Sequence, residues 1–290
     1  MPKRRLVTRV AIFLLFLSVA AAVQQVPAQA APRAELWERW LAHDPSSTAT
    51  VDHSPWQRFL ERYALPGHDG INRIPYGKVT DADRQALTSY VAGLSRLPVG
   101  ALRRAEQFAF WVNLYNALTV QVILDHYPVE TIMDIDISPG WFANGPWGRK
   151  LVEVEGEGLS LDDIEHRILR PIWRDPRIHF AVNCASVGCP NLMRTAFTAG
   201  KADAMLEEAT RGYVNHPRGA QVREGKLYLS TIFIWYGDDF GDEAGIVAYV
   251  RRYADPELAA ALGGIRAFSD GGYDWALNDA GVSRSAAPKP

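Results

Sequence analysis

One stretch limits the possible folds more than any other: the run from about Ala101 to His126, with FAFWVNLYNALTVQVIL at its centre. Read at 3.6 residues per turn, it is apolar on every face, and a helix of that kind has to be enclosed by other elements. Pro128 sets its end. Its polar residues are therefore the informative ones. Glu106, Asn113 and Asn116 fall close together on one stripe. A buried amide without partners costs on the order of 1–3 kcal/mol. Asn113 and Asn116 thus either tie down neighbouring loop backbone or form one wall of a polar pocket.

Shorter elements surround this run. Helices are expected over Ala34 to Ala42 and Trp56 to Tyr63, and from a Thr80 or Asp81 cap to about Leu94. Lys150 to Glu155 alternates as a strand turned by Gly156 to Gly158. Ser160 then caps LDDIEHRILR, with Asp163 placed to complete a capping box. On that helix Leu161, Ile164, Ile168 and Leu169 define the core face. Glu165 falls within the same arc and His166 at its edge, and a carboxylate there needs an arginine or histidine partner. Gln221 to Ser230 reads as a hairpin turning at Glu224-Gly225, and Gly237 to Asp242 as an acidic loop. Helices over Glu243 to Tyr253 and Pro256 to Leu262, the second capped by Asp255, precede a last strand, Gly264 to Phe268. The expected class is α+β, mainly helical, with a small antiparallel sheet packed against the long buried central helix.

The opening residues read as an address. Lys3, Arg4, Arg5 and Arg9 precede the apolar stretch Val10 to Val23, and Ala28-Gln29-Ala30 fits a cleavage site. Residues 1–30 are therefore expected to be a signal peptide of a secreted or periplasmic protein, with an uncleaved anchor as the alternative. No second run suggests a membrane span in the mature chain. Removing the leader's four basic residues takes the net charge from −2 to −6, so no nucleic-acid partner is expected. Residues 31–93 read as a helical extension packed on the main domain, 94–278 as that domain, and 279–290 as a disordered tail.

Both cysteines lie in IHFAVNCASVGCP, Ile178 to Pro190. The alternation reads as a buried strand ending in a small-residue turn, a common way to present a reactive side chain. Cys184 is the candidate nucleophile. A thiolate needs a base and a group to orient it. Along an extended strand His179 would lie about 16 Å away on the opposite face, so His166 is the expected base, oriented by Glu165 or Asn113. Turn amides from Ala185 to Gly188 are candidate oxyanion donors. Asn116, Trp141 and Trp147 are candidate substrate-binding residues, the tryptophans from a Gly- and Pro-rich loop. The alternative is a structural Cys184–Cys189 disulfide in a non-catalytic binding module. Zinc on Cys184, Cys189, His166 and His179 would need unusual spacing. No cofactor is expected.

FAFWVNLYNALTV, LSLDDIEHRILR, RIHFAVNCASVGCP, LYLSTIFIWYGDDF and YDWALN, in that order, resemble the domain-of-unknown-function 547 family over roughly Leu94 to Asn278. Further off, the domain is similar to papain-like and transglutaminase-like thiol folds, with a buried helix against an antiparallel sheet. His166 before Cys184 reverses the papain-like order and would require a permuted arrangement. The expected function is a cysteine-dependent hydrolase or acyl transferase acting on a peptide, acyl or other cell-envelope substrate.

Overall fold

In the computed structural model, residues 32–140 and 144–281 are described. The expected leader, Trp141 and the tail beyond Gly281 lie outside the described residues. Helix α1 (Ser54–Tyr63) leads to a two-residue ribbon, β1 (Leu65–Pro66) with β2 (Asn72–Arg73), and then to α2 (Asp81–Leu94). Thr80 caps α2, its side chain accepting from the Asp83 N–H at 3.2 Å. The central helix α3 spans Arg104–His126, and almost all of it is buried. Helices α1 and α2 share its apolar core.

A hairpin of β3 (Val152–Val154) and β4 (Glu157–Leu159) leads into a helix over residues 161–173. The Ser160 and Asp163 box is present: Ser160 Oγ accepts from Asp163 N at 3.1 Å, and Asp163 Oδ2 accepts from Ser160 N at 2.8 Å. Then the helix widens into a π-helix over Asp163–Leu169 before α4 (Arg170–Trp173). Arg170 N–H reaches back five residues to Glu165 O. Pro171 has no N–H, so Arg167 O in α register and His166 O in π register both lack their in-helix donor. The N-terminal segment supplies the missing donors: Glu35 N–H to His166 O at 2.9 Å and Trp37 N–H to Arg167 O at 3.0 Å. These bonds correct the expected helix over Ala34 to Ala42. Residues 32–37 are an extended strap, followed only by a 3-10 turn at Glu38–Leu41.

Ile178 to Ala181 is a helical turn, α5 (Ile178–Ala181), where a strand was expected. The cause is Asp175-Pro176. Asp175 accepts from Arg177 N with its side chain at 2.9 Å and from Ile178 N with its carbonyl at 3.1 Å, and proline suits a first helical turn. Helix α6 (Ala202–Val214) follows. Strands β5 (Ala220–Arg223) and β6 (Lys226–Leu229) form the expected hairpin, with Glu224 at φ 50° and Gly225 at φ 72°. The expected acidic loop is instead a helical turn, α8 (Gly237–Phe240), directly after α7 (Ile232–Trp235). Helices α9 (Glu243–Tyr253) and α10 (Pro256–Leu262) lie close to their expected bounds, and Asp255 caps α10. The last strand, β7 (Phe268–Asp270), begins later than expected and pairs with β6 in parallel.

The fold is mainly helical α+β. Its strands form three small sheets, and the three-stranded one belongs to a second apolar core with α7–α10 and the far end of α6. Helix α5 divides its side chains between the two cores, Ile178 and Ala181 to the first and Phe180 to the second. Asp279 and Ala280, expected in the tail, are tied in: Tyr127 OH donates to Asp279 Oδ2 at 2.8 Å, and Ala280 N–H to Ile74 O at 3.1 Å. Among the described residues no helix is long and apolar enough to cross a membrane.

Candidate active site

The loop after α5 carries the cysteines, and α3 holds it in place. Asn116 donates to Ala181 O at 2.9 Å and accepts from Asn183 N at 2.8 Å. Asn183 in turn donates to Pro190 O at 2.6 Å and accepts from Ala185 N at 2.9 Å. Between them Ala185 sits at φ 59°, a left-handed conformation that costs on the order of 1 kcal/mol and persists only where the surroundings impose it. The YDWALN segment supplies the rest of the frame. Asn278 N–H donates to Ala185 O at 2.9 Å, Val187 N–H to Ala276 O at 2.8 Å and Gly188 N–H to Asp274 O at 2.7 Å. Gly188 is needed there, because a Cβ would lie 2.7 Å from Asp274 N.

Cys184 and Cys189 are free thiols in this structure. Cys184 N–H donates to Cys189 Sγ at 3.1 Å. Cys184 Sγ lies 2.9 Å from Tyr273 OH and 3.2 Å from Ser186 Oγ, and those hydroxyls are 2.7 Å apart, closing a three-membered ring of hydrogen bonds. Bonds from Cys189, Ser186 and Tyr273 outweigh burial and bring the Cys184 thiol down to about 7. Burial and the neighbouring Cys184 push the Cys189 thiol well up, so the two differ in reactivity.

Cys184 opens onto a cavity of about 640 Å³ that is also lined by Glu165, His166, His179, Tyr236 and Tyr273, with Trp147, Trp235 and Trp275. The π register turns both Glu165 and His166 inward, leaving them only 5% and 4% exposed. Arg170 Nη1 donates to His166 Nδ1 at 3.0 Å, so the neutral ring carries its proton on Nε2, 3.6 Å from Asp162 Oδ1. Burial, together with the charge of Arg170, brings His166 down to about 4. His179 donates from Nε2 to Asp239 Oδ2 at 2.7 Å, and its Nδ1 stands 3.6 Å from Glu165 Oε1. Tyr115 OH donates to Glu165 Oε2 at 3.1 Å. Burial opposes ionisation of Glu165, but His166, His179 and Arg170 hold its carboxyl below the usual range. The partners of this buried carboxylate are therefore histidines and a tyrosine.

Several expected residues are placed differently. Asn113 donates to Phe197 O at 2.8 Å and accepts from Phe197 N at 3.0 Å, away from the cavity wall. Asn116 is spent on the cysteine loop's backbone, so both amides fix loops. The turn amides of Ala185, Val187 and Gly188 are committed to Asn183, Ala276 and Asp274, which corrects their assignment as oxyanion donors, while that of Ser186 is turned to the Cys184 sulfur. Among the described residues no histidine hydrogen-bonds to Cys184 Sγ, whose partners are hydroxyls and a thiol. His179 lines the cavity after all, because the helical turn at Ile178–Ala181 replaces the extended geometry that set it aside. Cys184 follows α5 and does not open α3. His53 is buried and bonded to Tyr90 OH at 2.6 Å. Tyr273, Asp239 and Arg170 had no assigned role in the sequence. YDWALN and the Gly237 to Asp242 segment marked the first two as motif residues without showing what they face.

Residues 99–214 match the model of the family described as Protein of unknown function, DUF547, which establishes for that stretch the resemblance read from the motifs. It includes Asn113, Asn116, Glu165, His166, His179, Cys184 and Cys189, while Tyr236, Asp239 and Tyr273 follow it. Neither the curated proteins nor the solved structures yield a match.

Proposed function

We propose that this chain is a cysteine-dependent hydrolase or acyl transferase acting on an amide or thioester in the cell envelope. The observation that carries the reading is the Cys184 thiol. It is half-buried at the edge of the cavity, held by Tyr273 and Ser186, and shares that cavity with a paired histidine cluster. In the proposed reaction Cys184 Sγ bonds to the acyl carbon as the bond to the leaving group breaks, and the thiol's proton passes through the hydrogen-bond ring to solvent. His166 Nε2–H is the proposed hydrogen-bond donor to the departing group and keeps its proton, and solvent supplies the proton that this group takes up. Water then splits the thioester, its hydroxyl going to the acyl group and its hydrogen to Sγ. An acceptor amine or alcohol in place of water gives transfer. Export rests on the basic and apolar opening of the sequence.

A non-catalytic binding module is the competing reading, favoured by the lack of a histidine bonded to Sγ among the described residues and by the aromatic wall. Activity-based thiol labelling of wild type, Cys184→Ala and His166→Ala, with intact-mass detection of an acyl adduct, separates the two. The enzyme reading expects an adduct on wild type and none on Cys184→Ala, with turnover slowed at least tenfold in His166→Ala. Absence of labelling at Cys184 under non-reducing and reducing conditions would overturn it.

A further inference from the structure

Among the described residues lining the cavity are three carboxylates, Asp162, Glu165 and Asp270, and no lysine or arginine. Two have partners: Glu165 has Tyr115 and the histidines, and Asp270 Oδ1 accepts from Thr231 Oγ1 and Gly272 N at 2.8 Å each. The nearest basic group to Asp162 is the neutral His166 ring, 3.6 Å away. Burial, then Glu165 and Asp163, push the Asp162 carboxyl up to about 6, against the pull of Lys150. An anion held under such pressure is relieved by a cation.

Two further observations point to a ligand of that charge. Asp162 N–H donates to Trp147 O at 3.1 Å, so two residues that line the cavity are tied through their backbones. Trp147 meets Trp275 edge-on at 5.8 Å, and Trp275 continues the wall to Trp235 at 5.5 Å and Tyr273 at 4.7 Å. Aromatic faces beside a carboxylate attract ammonium groups. Independently, His179 Nδ1 is buried and has no hydrogen-bond partner although its residue lines the cavity. It stands 3.6 Å from Glu165 Oε1, beyond hydrogen-bond reach, a gap that a donor entering from the cavity would bridge.

We propose that the cavity takes a substrate carrying a protonated primary amine, held by Asp162 against the indoles of Trp147 and Trp275. This rests on the cavity being the substrate site and names the chemistry it selects. The amine would set which amide or thioester reaches Cys184, and a neutral analogue would cover Asp162 without supplying a counterion.

The test is binding to full-length Cys184→Ala at pH 7.5, by calorimetry or tryptophan fluorescence, so that its outcome does not depend on thiol chemistry. The probes are Nα-acetyl-lysine methylamide and its Nε-acetylated counterpart, which differ in the ε charge. The charged probe is expected to bind about tenfold more tightly or better. Asp162→Asn in the same background should bring the two within about twofold, and Asp162→Glu should keep the preference. Equal affinities, a preference for the neutral probe, or no saturable binding of either would overturn the proposal. Should Asp162→Asn lose its helical circular dichroism, the comparison of probes on Cys184→Ala decides alone. Discrimination without any acyl adduct in the wild type would keep this proposal and sink the enzymatic one, and the reverse pattern would do the opposite.

Discussion

His179 donates from Nε2 to Asp239 Oδ2 at 2.7 Å while stacking on Tyr236 with ring centroids 3.9 Å apart. Asp239 Oδ2 also accepts from Arg170 Nε at 2.6 Å, so one carboxylate from α8 fixes both His179 and the arginine that sets the His166 tautomer. Asp239→Asn replaces an acceptor shared by two donors with an amide. The expected loss is about 2–3 kcal/mol in urea denaturation, because two buried donors lose their charged partner. A change below about 0.5 kcal/mol would show that the network does not depend on this charge.

Cys184 should be alkylated by iodoacetamide with a rate that rises through pH 7, and Cys189 should stay inert at neutral pH. Cys189→Ala removes the strongest stabilising bond to the thiolate and should move the midpoint to higher pH. Tyr273→Phe should move it the same way by less. A midpoint near 8.5 in the wild type, the value of an ordinary thiol, would remove the basis for this order.

Acid should weaken the fold before the usual carboxylate range is reached. Burial holds both His53 and His166 at about 4, below the ordinary value of 6.5. The unfolded chain therefore binds their protons first, and stability present above pH 6.5 is lost as pH falls toward 4. Each contributes on the order of 3 kcal/mol. Thermal melts at pH 7.5, 5.5 and 4.5 should show a steady fall in Tm, and His53→Gln should flatten part of it. A flat profile between 7.5 and 4.5 would contradict this.

Pro171→Ala returns to the helix an N–H that reaches Arg167 O or His166 O, in competition with the strap. The amides of Glu35 and Trp37 should then exchange with deuterium at least tenfold faster, with those of α3 unchanged. Unaltered exchange at Glu35 and Trp37 would mean that other contacts suffice to hold the strap. Candidates are Arg167 over the Trp37 ring at 4.4 Å and Arg170 Nη1 to Pro32 O at 2.7 Å.

Where local chemistry decides a feature, it was legible in the sequence. The apolar run placed α3 to within three residues at one end. Ser160 with Asp163, Thr80, Asp255 and Glu224-Gly225 each announced a cap or turn that formed. Alternation from Ile178 misled because Asp175-Pro176 starts a helical turn whose residues face two cores, which mimics the period of a strand. The strap was hidden because its bonds go to carbonyls freed by Pro171, more than a hundred residues downstream. Cys184, His166, Glu165 and Trp147 stood out as chemical types and do line one cavity. Tyr273 did not, since its closeness to Cys184 depends on how YDWALN pairs with the cysteine loop, a long-range register that no local pattern encodes.

The cavity lies where the two apolar cores meet. Cys184, Glu165, His166 and Trp147 come from segments packed on one core, and Tyr236 and Tyr273 from segments packed on the other. Across that seam Arg170 and His179 reach Asp239 through hydrogen bonds, and His179 stacks on Tyr236, while α5 and α6 lay apolar side chains on both cores. The sulfur and the hydroxyl bonded to it at 2.9 Å are thus seated on different cores, so the environment of the thiol depends on how the two cores are packed against each other.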